Sequence, residues 1–188
     1  KQALEDLYLP YKPKRRTRAM IARERGLEPL AELLWTGAAS DAEVEAAAAA
    51  YVSAEKEVPD VAAALAGARD VLAERVAEDA ELRGRVRDLT RAKGVVKSGV
   101  VVGKEHEVSK FQDYYDYAEK LSEMPSHRVL AIRRGETEGF LVWSIEAPAE
   151  EIAAVMRRAV VEGRRAAQQL ALVAQDAYKR LLAPSITV

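Results

Sequence analysis

The chain has 188 residues, 49% of them apolar and only 6% aromatic, with a formal net charge of −1 and no cysteine. That length suits one ordinary domain with a small appendage, and an apolar fraction so rich in alanine favours close-packed helices over a sheet sandwich. The lack of cysteine excludes disulfides, thiolate metal sites and cysteine nucleophiles, and no apolar run reaches the ~18–20 residues of a membrane span.

The N-terminus "KQALEDLYLP" lacks the charged-then-apolar pattern of a signal peptide. These features agree with a cytoplasmic protein that has no membrane partner. The chain opens on Lys1 without an initiator methionine, which reads as a piece of a larger protein. Charge is uneven: residues 1–25 carry eight Lys/Arg against Glu5, Asp6 and Glu24.

Taken in chain order, residues 2–8 predict a short helical lead-in that stops near Pro10. Pro10 and Pro13 disfavour helix in their predecessors, so 9–14 are expected to be extended. Thr17 is placed to cap a short helix, "RAMIARER", which Gly26 terminates. Pro29 fits the first turn of "PLAELLW", which ends near Gly37.

Residues 41–52 read as a helix with an acidic first turn and an alanine run packed through its small face. Asp60 caps the next helix, whose apolar stripe is Val61, Leu65, Ala68, Leu72 and Val76. A further segment runs through Leu82, Val86 and Leu89 to Gly94. Asp79 either caps it separately or lies within one bent helix.

"GVVKSGVVVG" and "GFLVWSIE" are the two credible strands. In the second, Phe140, Val142 and Ser144 share one face, and Leu141, Trp143 and Ile145 the other. Residues 105–121, carrying "KFQDYYDY", are expected to be helical. Ser126 is placed to cap "HRVLAIRR", ending at Gly135. After Pro148 a helical pattern runs to about Leu182; Gly163 bends or divides it, and Pro184 ends it.

The expectation is therefore an all-α, multihelical bundle-like scaffold with at most one two-stranded β ribbon, 95–102 with 139–146. Residues 1–37 form an extended basic arm plus a short helix-turn-helix-like pair. Residues 38–148 form the helical body, and 149–188 a long C-terminal helical segment. Together they make one compact unit.

Nothing in the sequence has the makings of a catalytic centre. His106 and His127 are far apart and lack supporting ligands, so His127 reads as a helix-end residue and His106 as solvated. Carboxylates alternate with Lys and Arg along helix faces, the mark of surface pairing. Gly99 to Gly103 with Lys104 lacks the Ser/Thr of a phosphate loop. The expectation is a protein that is not an enzyme and holds no cofactor or metal.

Binding has two leads. Lys12, Lys14, Arg15, Arg16 and Arg18 can neutralise phosphates without reading bases, and Tyr8 and Tyr11 are able to stack on bases. Against this, the tyrosines would equally anchor an extended arm while the cations stay in water. "IARERGLEPLAELL" has the alanine and glycine of a helix-turn-helix. Its second helix offers Glu32 and no basic residue, however, so it is unsuited to base-specific reading. Tyr114, Tyr115 and Tyr117 read as aromatics at the boundary of the core rather than a stacking platform.

Several stretches together carry a family likeness: "ALEDLYLPYKPKRRTRAMIARERGLEPLAELL", "GARDVLAERVAEDAELR", "KFQDYYDY", "PSHRVLAIRRGETEGFL" and "DAYKRLLAPSI". They resemble, in order, the N-terminal helical region of Tex, the bacterial transcription accessory proteins related to a eukaryotic elongation factor. The resemblance implies a largely helical scaffold. In the family it precedes a nuclease-like domain, a helix-hairpin-helix region and an OB-fold RNA-binding domain, none of which is present in these residues.

Residues 149–175, "AEEIAAVMRRAVVEGRRAAQQLALVAQ", depart from the family pattern, so Arg157, Arg158, Arg164 and Arg165 inherit no role. Two functions follow as expectations. One is a helical scaffold module with weak, sequence-independent nucleic-acid binding, to RNA or DNA backbone. The other is a protein-interaction scaffold that docks the remaining domains of the parent protein or the transcription machinery.

Overall fold

A computed structural model describes residues 15–186. The expected lead-in helix at 2–8 and the extended segment 9–14 lie outside the described residues. Two compact units divide the chain: residues 15–72 with 164–169, and residues 73–163 with 170–186.

In the first unit, helix α1 (Arg18–Glu24) begins where Thr17 turns from extended backbone and its hydroxyl accepts from the Met20 N–H at 3.1 Å. Gly26 takes a left-handed φ of 74° and leads into α2 (Glu28–Thr36), which Gly37, at φ 75°, terminates. Helix α3 (Asp41–Ala48) opens with a capping box: Ser40 accepts from the Glu43 N–H, and the Glu43 carboxylate accepts from the Ser40 N–H at 2.7 Å. The predicted helix over 41–52 is shorter, passing into a 3-10 turn at Ala49–Tyr51.

Asp60 caps α4 (Val61–Glu78) through the Ala63 N–H at 2.7 Å. The core of this unit includes Ala22, Leu27, Leu30, Leu34, Val44, Ala64 and Ala68, all buried. Small residues set its spacing, because a Cβ on Gly67 would lie 2.2 Å from Leu27 Cδ1 and 3.4 Å from Ala22 Cβ.

In the second unit, Asp79 leaves helical geometry and caps α5 (Ala80–Lys93) by accepting from the Leu82 N–H at 2.7 Å, so two helices stand where one bent helix was the alternative. Three strands follow in a single antiparallel sheet: β1 (Val95–Val100), β2 (Asp116–Lys120) and β3 (Leu141–Glu146), in the order β2-β1-β3.

This overturns the all-α expectation with at most a two-stranded ribbon: the chain is mixed α and β. The two strands read from sequence do pair, with Val96 opposite Ile145, Ser98 opposite Trp143 and Val100 opposite Leu141. The third strand lies in the stretch 105–121 expected to be helical. Its residues alternate exposed and half-buried, with Tyr117 and Glu119 turned inward. An inward carboxylate gives no apolar period of two, so the hydrophobic pattern was silent, although tyrosine favours strands.

Helix α6 (Ser126–Thr137) packs its Ile132 and Gly135 toward the sheet. A Cβ on Gly135 would lie 2.4 Å from Leu141 Cδ1. Ser126 is its first helical residue and makes no cap; Pro125 occupies the cap position.

Helix α7 (Ala149–Val160) buries Ile152, Met156 and Val160, spaced four residues apart. Gly163, at φ 79°, lies between α7 and α8 (Ala167–Asp176), so the helical pattern is divided, not bent. Beyond α8, a π-helical stretch, Ala177–Leu182, precedes α9 (Ala183–Ile186). Pro184 therefore does not end the helix as expected. Proline lacks an N–H and crowds the preceding turn, and a widened π turn just before it relieves both.

Candidate nucleic-acid interface

Of the five candidate phosphate-binding residues, Lys12 and Lys14 lie outside the described residues. Arg15, Arg16 and Arg18 are all exposed at the start of α1. Arg16 pairs with the exposed carboxylate of Glu24, whereas Arg15 and Arg18 pair with no carboxylate among the described residues. The other cations of this end serve the fold: Arg23 lies 3.6 Å from Glu28, and Arg25 3.2 Å from Glu57. The first turn of α1 holds no acidic residue, and the Glu24 carboxylate on Arg16 is the described negative charge that an anion would have to displace.

The paired helices α1 and α2 are present, but the second is built for packing. It buries Leu30, Ala31 and Leu34 and exposes Glu28, Pro29, Glu32 and Thr36. None of its side chains is an Arg, Lys, Asn or Gln of the kind that reads base edges.

Two arginines that inherited no role from the family pattern prove structural within the first unit. Arg164 donates from Nε to the Trp35 carbonyl at 3.0 Å and lies 3.9 Å from the Trp35 ring centroid. Arg165 donates its N–H to the Gly37 carbonyl at 3.0 Å and its Nη1 to the Ala38 carbonyl at 2.7 Å. They satisfy carbonyls at the end of α2 that its own hydrogen-bond ladder leaves open. Asp41 does the converse for α8, accepting from the Gln168 and Gln169 N–H groups at 3.1 and 2.9 Å.

In the second unit, Tyr114 ends a 3-10 turn (Gln112–Tyr114), Tyr115 follows it and Tyr117 lies on β2, and all three are half-buried. Tyr114 and Tyr117 stack edge to face with centroids 5.2 Å apart. The Tyr115 hydroxyl lies 2.9 Å from both Ser109 Oγ and the Glu107 carbonyl. Tyr117 donates to Glu119, which also accepts from Arg128 of α6 at 2.7 Å.

The hydrogen bond from Tyr117, then that from Arg128, holds the Glu119 carboxyl below the usual carboxylate range. The same bond to Glu119 raises the Tyr117 phenol above its ordinary value. These groups fasten an edge strand to a helix and occupy the hydroxyls of Tyr115 and Tyr117. Both histidines are exposed, His127 at the start of α6 and His106 in the loop after β1.

The Tex central region-like family model matches residues 39–187. The chain belongs to that family. It is 57% identical to Protein YhgF of Escherichia coli over 147 residues, 78% of this chain and 19% of that protein. It is 54% identical to the Transcriptional accessory protein Tex of Neisseria gonorrhoeae over 141 residues, 75% of this chain and 18% of that one. Against Uncharacterized protein YdcI of Bacillus subtilis it is 37% identical over 190 residues, 98% of this chain and 26% of that one.

The chain thus spans between about a fifth and a quarter of the length of these Tex relatives. The likeness read from the quoted motifs is borne out, and the matched stretch includes the divergent 149–175. The candidate arginines of α1 lie ahead of it. Among the described residues, no helix is long and apolar enough to cross a membrane.

Proposed function

We propose that this chain is a non-catalytic module of a Tex-like transcription accessory protein that holds a nucleic-acid backbone without reading its bases. Lys12, Lys14, Arg15, Arg16 and Arg18 make the phosphate contacts. The observation that carries this reading is the exposure of Arg15, Arg16 and Arg18 together at the start of α1, with only Arg16 tied to a described carboxylate. Exposed cations gain by releasing counterions from phosphates. The apolar α2 supports binding that is indifferent to sequence.

The test is charge reversal at Arg15, Arg16 and Arg18, with binding to labelled single-stranded RNA and duplex DNA followed by anisotropy. The reading expects the affinity for both ligands to fall alike, with the circular dichroism unchanged. Retention of both ligands at wild-type affinity refutes it.

One observation favours the second reading, a protein-interaction scaffold. Val102 and Val108, on the loop between β1 and β2, are 91% and 85% exposed. That much uncovered valine on one loop is suited to a protein partner. Under this reading, Val102→Ser with Val108→Ser releases a partner from the transcription machinery or the parent protein, and charge reversal in the arm does not.

A further inference from the structure

We infer that α5 and α7 carry a second phosphate-binding site, for a nucleic-acid backbone, made by Arg85, Arg157 and Arg158. The argument rests on residues other than those of the arm and stands independently of it.

It begins with how α7 divides its faces. With Ile152, Met156 and Val160 buried, Ala153, Ala154, Arg157 and Arg158 fall on the solvent side. Each alanine stands one helical turn before an arginine, so a low ledge lies beside two guanidinium groups. Helix α5 lies alongside α7, and Lys93 pairs with Glu151 at 2.7 Å. Lys93 is the last residue of α5 and Glu151 lies in the first turn of α7, so the two helices run antiparallel. Arg85, nearer the start of α5, therefore meets the end of α7 that bears Arg157 and Arg158. All three arginines line one open cleft of about 530 Å³.

The opposing charge there is weak. Arg85 pairs with Glu81 at 2.5 Å, and Arg158 Nε lies 3.9 Å from Glu162, with every partner exposed. Exposed pairs of this kind contribute little and yield readily to a better acceptor. No described carboxylate pairs with Arg157. Two cations in the last turn suit the helix dipole of α7, but the dipole does not call for a third arginine from the neighbouring helix.

The chemistry of the cleft favours phosphate over an acidic protein surface. Guanidinium forks donate to two phosphate oxygens at a time. A protein interface would be anchored by large apolar or aromatic side chains, and the cleft offers only Ala153, Ala154 and the half-buried Val155. That absence of bulk is what lets a sugar-phosphate chain approach the helix closely.

The test uses the full chain and fluorescein-labelled oligouridine, with anisotropy read between about 50 and 200 mM salt. Three contacts at ~0.7 each contribute about 2 to the slope of log affinity against log salt. In the variant R85Q/R157Q/R158Q, the weakening across that range should therefore shrink by about 18-fold. The variant R15Q/R16Q/R18Q should leave the contribution of the cleft in place. Glu162→Gln removes the one carboxylate in the cleft and should tighten binding ~2–5-fold, the worth of an exposed pair. This gain cannot arise from misfolding.

An unchanged slope in R85Q/R157Q/R158Q overturns the site, as does a Glu162→Gln chain that binds no tighter than wild type. Capture of polyglutamate with no RNA bound at ~50 mM salt would assign the cleft to a protein partner instead.

Discussion

Two glycines, both inside helices of the second unit, should respond in opposite ways to the same substitution. Gly84 in α5 has nothing within 4 Å of where a Cβ would sit. There alanine gains only its helix preference, about 0.5–1 kcal/mol. Gly135 in α6 is buried, and an added Cβ would lie 2.4 Å from Leu141 Cδ1, 2.7 Å from Leu141 Cγ and 3.2 Å from Phe111 Cδ1.

Ordinary carbon contacts are about 3.5–4.0 Å. The overlap with Leu141 Cγ cannot be relieved by rotating the end of that side chain, so β3 or α6 must move by about 1 Å. Overpacking of this kind costs about 1–3 kcal/mol, which exceeds the helix gain. Urea unfolding of the full chain should therefore raise the midpoint for Gly84→Ala and lower it for Gly135→Ala, with the two separated by roughly 2 kcal/mol. A Gly135→Ala chain as stable as wild type would refute the close packing of α6 on the sheet.

Ser40→Ala should destabilise the chain by about 1 kcal/mol, since it removes half of the capping box at α3, and thermal unfolding will read it. Arg164→Ala should cost about 1–3 kcal/mol in urea unfolding and shift Trp35 fluorescence, because it removes both the ring contact and a hydrogen bond to the Trp35 carbonyl.

The Tyr117–Glu119–Arg128 network should add stability across a defined pH window. The carboxyl of Glu119 is lowered, so its contribution is full above the unfolded value near 4.5 and lost as pH falls through the folded one. The phenol of Tyr117 is raised, so its contribution is full below 10.0 and lost as pH rises through its folded value. Tyr117→Phe should flatten both limbs of stability against pH, and melts across the range will show whether it does.

What could be read from the sequence was mostly local. The caps at Thr17, Asp60 and Asp79 and the stops at Gly26 and Gly37 follow from side chains within a few residues of the backbone groups they satisfy. The strands β1 and β3 announced themselves by valines and by alternation.

What escaped was set by distant partners or by absent pattern. Strand β2 turns Glu119 inward, where Arg128 and Tyr117 hold it, so no apolar alternation marks it. Arg164 and Arg165 serve carbonyls of residues 35–38, more than 120 residues earlier, and nothing near them in sequence signals that role. Pro184 sits in helical backbone just after a π turn, an arrangement its own neighbours do not signal. The basic arm was plain in the sequence, and Arg15, Arg16 and Arg18 are exposed. The arginines of the cleft between α5 and α7 lie some 70 residues apart, so only the antiparallel packing of the two helices joins them.

The central claim is that these residues themselves hold a nucleic-acid backbone. Its most direct test is the anisotropy of the unaltered chain with labelled single-stranded RNA from about 50 to 200 mM salt. Arg15, Arg16 and Arg18 alone predict a slope of about −2 and a weakening of roughly 18-fold, steeper once Lys12 and Lys14 engage. Binding absent at the lowest salt, or unaffected by salt, would contradict it.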